Sequence, residues 1–236
     1  DMKKTYYFKG RVNNRSETVN LKKFHNQIKF ELIKYCKKNI NNLNRNNHNQ
    51  FKPKTLIDMT CGKGGDLMKW VNNDFKFIVG FDYAYKNIYN NEDGIYKRCY
   101  DLKQKRQNLP YMVFEQANTS NNIKNGKAFE DINFKQNNIG NDIIKCIFGE
   151  NYNKYNFLKN FENKASSGFD VVSNQFSIHY FFKDRKTLTG LIQNVTECCR
   201  LNGYFIGTCF DGKEIFNLMK NKKKFKLNSK KKKKLK

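Results

Sequence analysis

Residues 55–70 read TLIDMTCGKGGDLMKW: an apolar run closing on Asp58, a glycine-rich turn, and a helix opened by Asp66. In the turn Cys61-Gly62-Lys63-Gly64-Gly65 the missing Cβ atoms let backbone approach a bound molecule where a side chain would collide. A second apolar run, residues 77–81, leads into Asp82, 18 positions past Gly64. A carboxylate at that place suits paired hydrogen bonds to two ribose hydroxyls, the plain alternative being a helix N-cap. A dinucleotide fingerprint would show GxGxxG and a P-loop would end in GK followed by Ser or Thr, and the chain has neither. Two acidic strand ends around a GxGG turn fit S-adenosylmethionine, which has ribose hydroxyls to grip but no phosphate.

The elements that must position these residues alternate. The sequence predicts strands at 55–59, 77–81, 111–116, 169–173 and 204–209, with helices at 66–72, about 94–107 and 185–201. Such alternation means an α/β fold with a mostly parallel twisted sheet and helices on both faces. A helix over about 21–38 precedes it within an N-terminal extension of residues 1–50. The asparagine-rich stretch 39–50 reads as a loop, because such side chains satisfy the backbone locally and bury nothing. Residues 119–168 read as a connecting region with an asparagine-rich insertion and a helix near 155–164. One domain over residues 1–220 and a lysine-rich tail at 221–236 complete the expectation.

With 236 residues and 28.1 kDa, the chain can bury one sizeable core. A formal charge of +25 points to a polyanionic partner, nucleic acid first. From Lys220 to Lys236 there are eleven lysines and no acid, yet the chain before that run is also basic. The run itself reads as a solvated tail or nuclear-import-like address, or as an RNA contact. The seven cysteines form no CxxC pair and show no zinc spacing, which predicts reduced intracellular thiols and no metal. No apolar run approaches the roughly 20 residues that span a bilayer, and the first residues, DMKKTYYFKG, are unlike a secretory signal. A soluble protein without a membrane partner is expected.

The turn resembles that of the eukaryotic mRNA cap guanine-N7 methyltransferases, whose segment runs DLGCGKGGDLLKW. Three further stretches are similar in the same order: KFHNQIKFELI at 23–33, FDVVSNQFSIHYFF at 169–182 and GYFIGT at 203–208. The resemblance covers roughly residues 6–220, loosely in the links. It implies a Rossmann-like class I methyltransferase fold, S-adenosylmethionine as methyl donor, S-adenosylhomocysteine as product, and 5'-capped RNA as acceptor. Other capping or transcription machinery would be further partners, and the nucleus the compartment. The family also has an antiparallel hairpin and a long C-terminal portion carrying an acidic residue and a tyrosine that hold the cap. Only residues 213–236 remain here at that place, so the expected fold lacks this hairpin and neither residue can be assigned.

Position by position, the resemblance places Lys29, Thr60, Gly62, Asp82, Asn118, Gln175 and Tyr180 around the cofactor. It places His25, Asn26, Lys63, Lys69, Arg98, Phe176 and His179 around the cap. Three of these depart from the family: Thr60 stands for a glycine, Asn118 for an aspartate, and His25 for one of two asparagines. Ordinary readings stay open beside these. The lysines could be solvated surface, His179 and Phe176 core residues, and Thr60 a turn residue. Transfer to guanine N7 uses a lone pair that carries no proton, so no general base is sought and positioning is the expected source of rate.

Two rivals stand beside this reading, one another methyltransferase acting on an exocyclic amine or a protein side chain, the other a protein of a different class. A methyltransferase acting on an exocyclic amine would show [DN]PP[FY] after the fourth strand, whereas this chain has Ser173-Asn174-Gln175-Phe176 and only Pro53 and Pro110. A catalytically inactive RNA-binding relative would bind RNA in a salt-dependent way and leave S-adenosylmethionine alone.

Overall fold

Along a strand alternate side chains face opposite ways, and in β1 (Thr55–Asp58) Leu56 and Ile57 head two separate cores. The computed structural model describes residues 19–46, 55–130, 132, 137–150 and 156–220. With β2 (Phe77–Asp82), β3 (Tyr111–Gln116), β4 (Phe169–Gln175) and β5 (Cys199–Thr208), β1 forms one sheet in the order β3-β2-β1-β4-β5, all neighbours parallel. The register sets Leu56 between Ile78 and Val171, and Ile57 between Val79 and Val172.

Each row is covered by helices. On the Leu56 face lie α1 (Val19–Asn46), α2 (Leu67–Asn72), α3 (Tyr85–Tyr89) and α4 (Ile95–Lys103), through Ile33, Trp70, Ile88 and Ile95 among others. On the Ile57 face lie α5 (Asn137–Phe148) and α6 (Arg185–Cys198), through Ile143, Ile144, Ile147 and Leu191. This is the Rossmann-like α/β fold of class I methyltransferases, present through its fifth strand. Strand order reverses between β1 and β4, so the crevice of a doubly wound sheet opens at their carboxyl ends.

Three local expectations are corrected. The helix predicted for about 21–38 runs on to Asn46, through the asparagines read as a loop. Ile33, Cys36 and Ile40 repeat at helical spacing and are each at most 1% exposed. Burying one such isoleucine is worth about 1.5–3 kcal/mol, more than the roughly 0.6 kcal/mol that an asparagine costs a helix. The connecting region holds a regular helix, α5, whose Ile139, Ile143, Ile144 and Ile147 form an apolar stripe. Near 155–164 there is instead the 3-10 helix Asn156–Asn160, which buries Leu158 alone. After β5 comes an amphipathic helix, α7 (Gly212–Met219), capped by Asp211 through the Lys213 and Glu214 amides. No strand follows β5 among the described residues. The lysine-rich tail at 221–236 and the first 18 residues of the N-terminal extension lie outside them.

Candidate functional site

The glycine-rich turn leaves β1 at its carboxyl end and enters α2. Gly64 adopts φ +74°, and a Cβ there would sit 2.7 Å from the Ile95 side chain, so both conformation and space demand glycine. On the other side the loop is open: a Cβ added to Gly62 or Gly65 would meet nothing within 4 Å. Asp82 closes the turn from the end of β2. Its Oδ2 accepts from the Gly62 amide at 2.9 Å, and its Oδ1 accepts from the Ala84 amide and Asn87 Nδ2, both at 2.9 Å. Burial raises the Asp82 carboxyl above the usual carboxylate range. Oδ2 carries one hydrogen bond, which leaves it a lone pair to offer. Open backbone beside a buried carboxylate is a cradle that fits a ribose.

Asp66, read from sequence only as the start of a helix, is the charge hub of the site. Lys29 from α1 reaches it at 2.6 Å and Lys69 from α2 at 2.8 Å, and the three side chains are 9–12% exposed. Lys69 also donates to Asn26 Oδ1 at 2.8 Å and to the Gly65 carbonyl at 3.1 Å. An ammonium has three donors, so Lys69 is fully occupied in tying α1 to the turn. Lys29 gives two contacts to the single Asp66 carboxylate and keeps one donor, with its Nζ 5.8 Å from the Phe176 ring centre. Two cations on one carboxylate leave net positive charge there.

Rings gather beside this hub. His25 lies 4.3 Å from Phe176, Phe176 lies 6.0 Å from Phe210, and His179 lies 5.7 Å from Phe210 and 4.2 Å from Tyr180. They arrive from α1, the end of β4, the 3-10 helix Ile178–Lys183 and the segment after β5. Phe176 holds a left-handed φ of +56°. Its amide donates to the Thr208 carbonyl at 2.8 Å, and Thr208 Oγ1 donates to Gln175 Oε1 at 2.8 Å, so the two strand ends lock the turn. Phe210, half-exposed, was missed from sequence. Its place just past a carboxyl strand end was the available signal.

The remaining candidates are dispersed. Gln175 is buried, with its amide nitrogen on Ser173 Oγ at 3.2 Å. Thr60 bonds Asp58 through its amide and Ser177 through its hydroxyl. The Asn118 side chain accepts from the Ser120 amide at 3.2 Å beyond β3. Lys63 pairs with Asp93 at 2.6 Å. Arg98 lines a separate cleft with Gly64, Met68 and Asp101. Neither of these two joins the rings. No group of three or more His, Cys, Asp or Glu side chains suited to a metal occurs among the described residues. None of their helices is long and apolar enough to cross a membrane.

Asp58 beneath the turn gives a stability prediction. Burial, then the Asp66 charge, pushes its carboxyl up to about 7, against hydrogen bonds from the Thr60 amide and Ser173 Oγ. A carboxyl raised in the folded state keeps a proton that the unfolded chain has lost. Its contribution is therefore full below about pH 4 and disappears as pH rises to about 7. In Asp58→Asn the fall in unfolding free energy between about pH 5 and 7.5 should shrink by on the order of 2 kcal/mol. Asp82 and Glu115, also raised by burial, keep their shares. Urea titrations of both proteins at the two pH values measure the difference, and equal falls would refute the assignment.

Residues 4–233 match the family described as mRNA (guanine-N(7))-methyltransferase domain. A protein of Acanthamoeba polyphaga mimivirus named "Probable mRNA-capping enzyme" is 29% identical over 221 residues, covering 93% of this chain and 16% of that one. An mRNA cap guanine-N(7) methyltransferase of Caenorhabditis elegans is 29% identical over 201 residues, covering 85% of this chain and 41% of that one. The chain thus spans less than half the length of these two relatives. A solved S-adenosylmethionine-dependent methyltransferase from Clostridium acetobutylicum ATCC 824 is 12% identical, at a TM-score of 0.40 over 79% of this chain and 53% of that one.

Proposed function

This chain belongs to the mRNA (guanine-N(7))-methyltransferase domain family, and on that premise we propose that it methylates N7 of the guanine in GpppN-capped RNA. The observation that carries the proposal is the convergence of His25 from α1, Phe176 and His179 from the segment after β4, and Phe210 from beyond β5, beside Lys29 at the crevice of the sheet. S-adenosylmethionine, when bound, supplies a methyl group on a sulfonium and leaves as S-adenosylhomocysteine. Asp82 and the Gly62 to Gly65 backbone would hold its ribose, and the spare donor of Lys29 would meet its carboxylate.

The chain's own work is positioning. The rings offer flat faces that grip a purine, each worth about 1–3 kcal/mol by stacking. The charge left over around Asp66 favours an anionic ligand. Guanine N7 needs no deprotonation, so the groups must only fix it roughly 3–3.5 Å from the methyl carbon. Lys63 and Lys69 bear on the triphosphate bridge or on the fold that holds it. Action in the nucleus beside other capping or transcription machinery belongs to the same reading and rests on the family and on the lysine-rich tail.

Labelled methyl transfer from S-adenosylmethionine tests this directly, with GpppG-capped RNA, the same RNA already N7-methylated, and an uncapped control. Label is expected on the unmethylated cap alone. Label on all three would move the acceptor elsewhere in the RNA, and label on none would overturn the activity for this chain.

A further inference from the structure

A second basic surface lies away from the rings. The loop after β3 and the start of α6 enclose a groove of about 600 Å³, lined by Lys127, Arg185, Lys186, Asn121, Asn125 and Gln193 among others. All three cations are exposed, and none is held by a carboxylate among the described residues. Of the nearest acids, Asp184 accepts from the Thr187 amide at 2.8 Å as the cap of α6. Glu197 accepts from Asn122 at 2.7 Å and from Gln193 at 2.8 Å. The third, Glu130, stands exposed beyond the 3-10 helix Lys127–Phe129 and is not part of the groove lining.

The floor is rigid. Buried Asn194 donates to the Thr119 and Asn121 carbonyls, both at 2.8 Å, and accepts from the Ile123 amide at 2.8 Å. A Cβ on Gly190 would stand 1.9 Å from the Ser120 carbonyl oxygen, so loop and helix meet at backbone contact. Free cations interleaved with short amide side chains on a fixed floor match a chain of phosphodiesters, which needs point charges and hydrogen-bond donors at intervals. The groove is joined to the rings by chain, since the helix Ile178–Lys183 carrying His179 and Tyr180 runs through Asp184 into Arg185.

We propose that this groove binds the phosphate backbone of single-stranded RNA downstream of the cap. The proposal rests on the capped-RNA reading for its direction, though not for its test. The variant is Lys127→Gln with Arg185→Gln and Lys186→Gln, all on exposed side chains. The control replaces three exposed lysines elsewhere, Lys34, Lys38 and Lys103, with glutamine.

Anisotropy with an uncapped 20-nucleotide RNA at several salt concentrations should show about tenfold weaker binding for the groove variant near 0.15 M salt. The log-log salt slope should be smaller by about 2, as three lost phosphate contacts on a single strand predict. The control should change affinity by less than about threefold, and methyl transfer to the dinucleotide GpppG should be unchanged in both. Equal losses in groove variant and control, or none in either, would overturn the proposal. Because the binding arm uses uncapped RNA, a wild type that fails to methylate GpppG yet shows the groove effect would overturn the cap reading and leave the groove standing.

Discussion

Asp82→Asn is expected to weaken S-adenosylmethionine binding about 10- to 100-fold, while the variant still folds. An ionised carboxylate accepting a hydrogen bond contributes about 1.5–3 kcal/mol, and Asp82 Oδ2 has one lone pair left to accept from a ribose hydroxyl. Asparagine keeps the shape but turns a donor toward the Gly62 amide, which now donates to Asp82 Oδ2 at 2.9 Å. The same change removes a buried carboxyl whose ionisation burial opposes, so the two folding effects offset. Calorimetric titration of both proteins with S-adenosylmethionine gives the loss. Repeating it with an analogue lacking both ribose hydroxyls closes a double-mutant cycle. If Asp82 acts on the hydroxyls, the two proteins bind the analogue with similar affinity. If it merely caps α3 through the Ala84 amide, the loss is the same for both ligands and the ribose role fails.

The cofactor half of the site was legible because it is local. Apolar runs ending in Asp58 and Asp82, with glycines between, sit within 28 residues of one another, and strand alternation fixes where they point. Even there Asp66 was undervalued, since nothing in its neighbourhood announces that Lys29 arrives from 37 positions away. The ring cluster is the opposite case. His25, Phe176 and Phe210 are brought together by the placement of β5 outside β4 and of α1 over the crevice. His25, Phe176 and His179 were named through the family resemblance; Phe210, outside its quoted motifs, was not. The misjudged elements have a related cause. In α1 and α5 asparagine content was weighed as loop chemistry, while Ile40 and the isoleucines of α5 were being buried against strands far away in sequence.

Phe176→Gly separates a functional ring from a packed one, because its backbone makes glycine the easier residue. A φ of +56° costs a side chain such as phenylalanine about 1–2 kcal/mol, which glycine does not incur. Losing the contacts of this partly buried ring to His25 and Phe210 costs about 0.5–1.5 kcal/mol each, beyond the apolar area the ring covers. The relieved strain offsets part of that loss, so the melting temperature should fall by several degrees while the variant still folds. If the ring lies against the cap guanine, the reaction loses a stacking face worth about 1–3 kcal/mol and the alignment it enforces. The expected result is a fall in kcat/KM for GpppG of about 30- to 100-fold, with S-adenosylmethionine affinity within about twofold of wild type. Phe176→Leu, which keeps bulk and strain but loses the flat face, should fall nearly as far. A core role predicts the reverse pattern, with Phe176→Leu close to wild type and Phe176→Gly losing stability and turnover together. A strained phenylalanine at the mouth of a crevice is retained against an available glycine only if something needs its ring there, and methylation of the dinucleotide cap reads out that need.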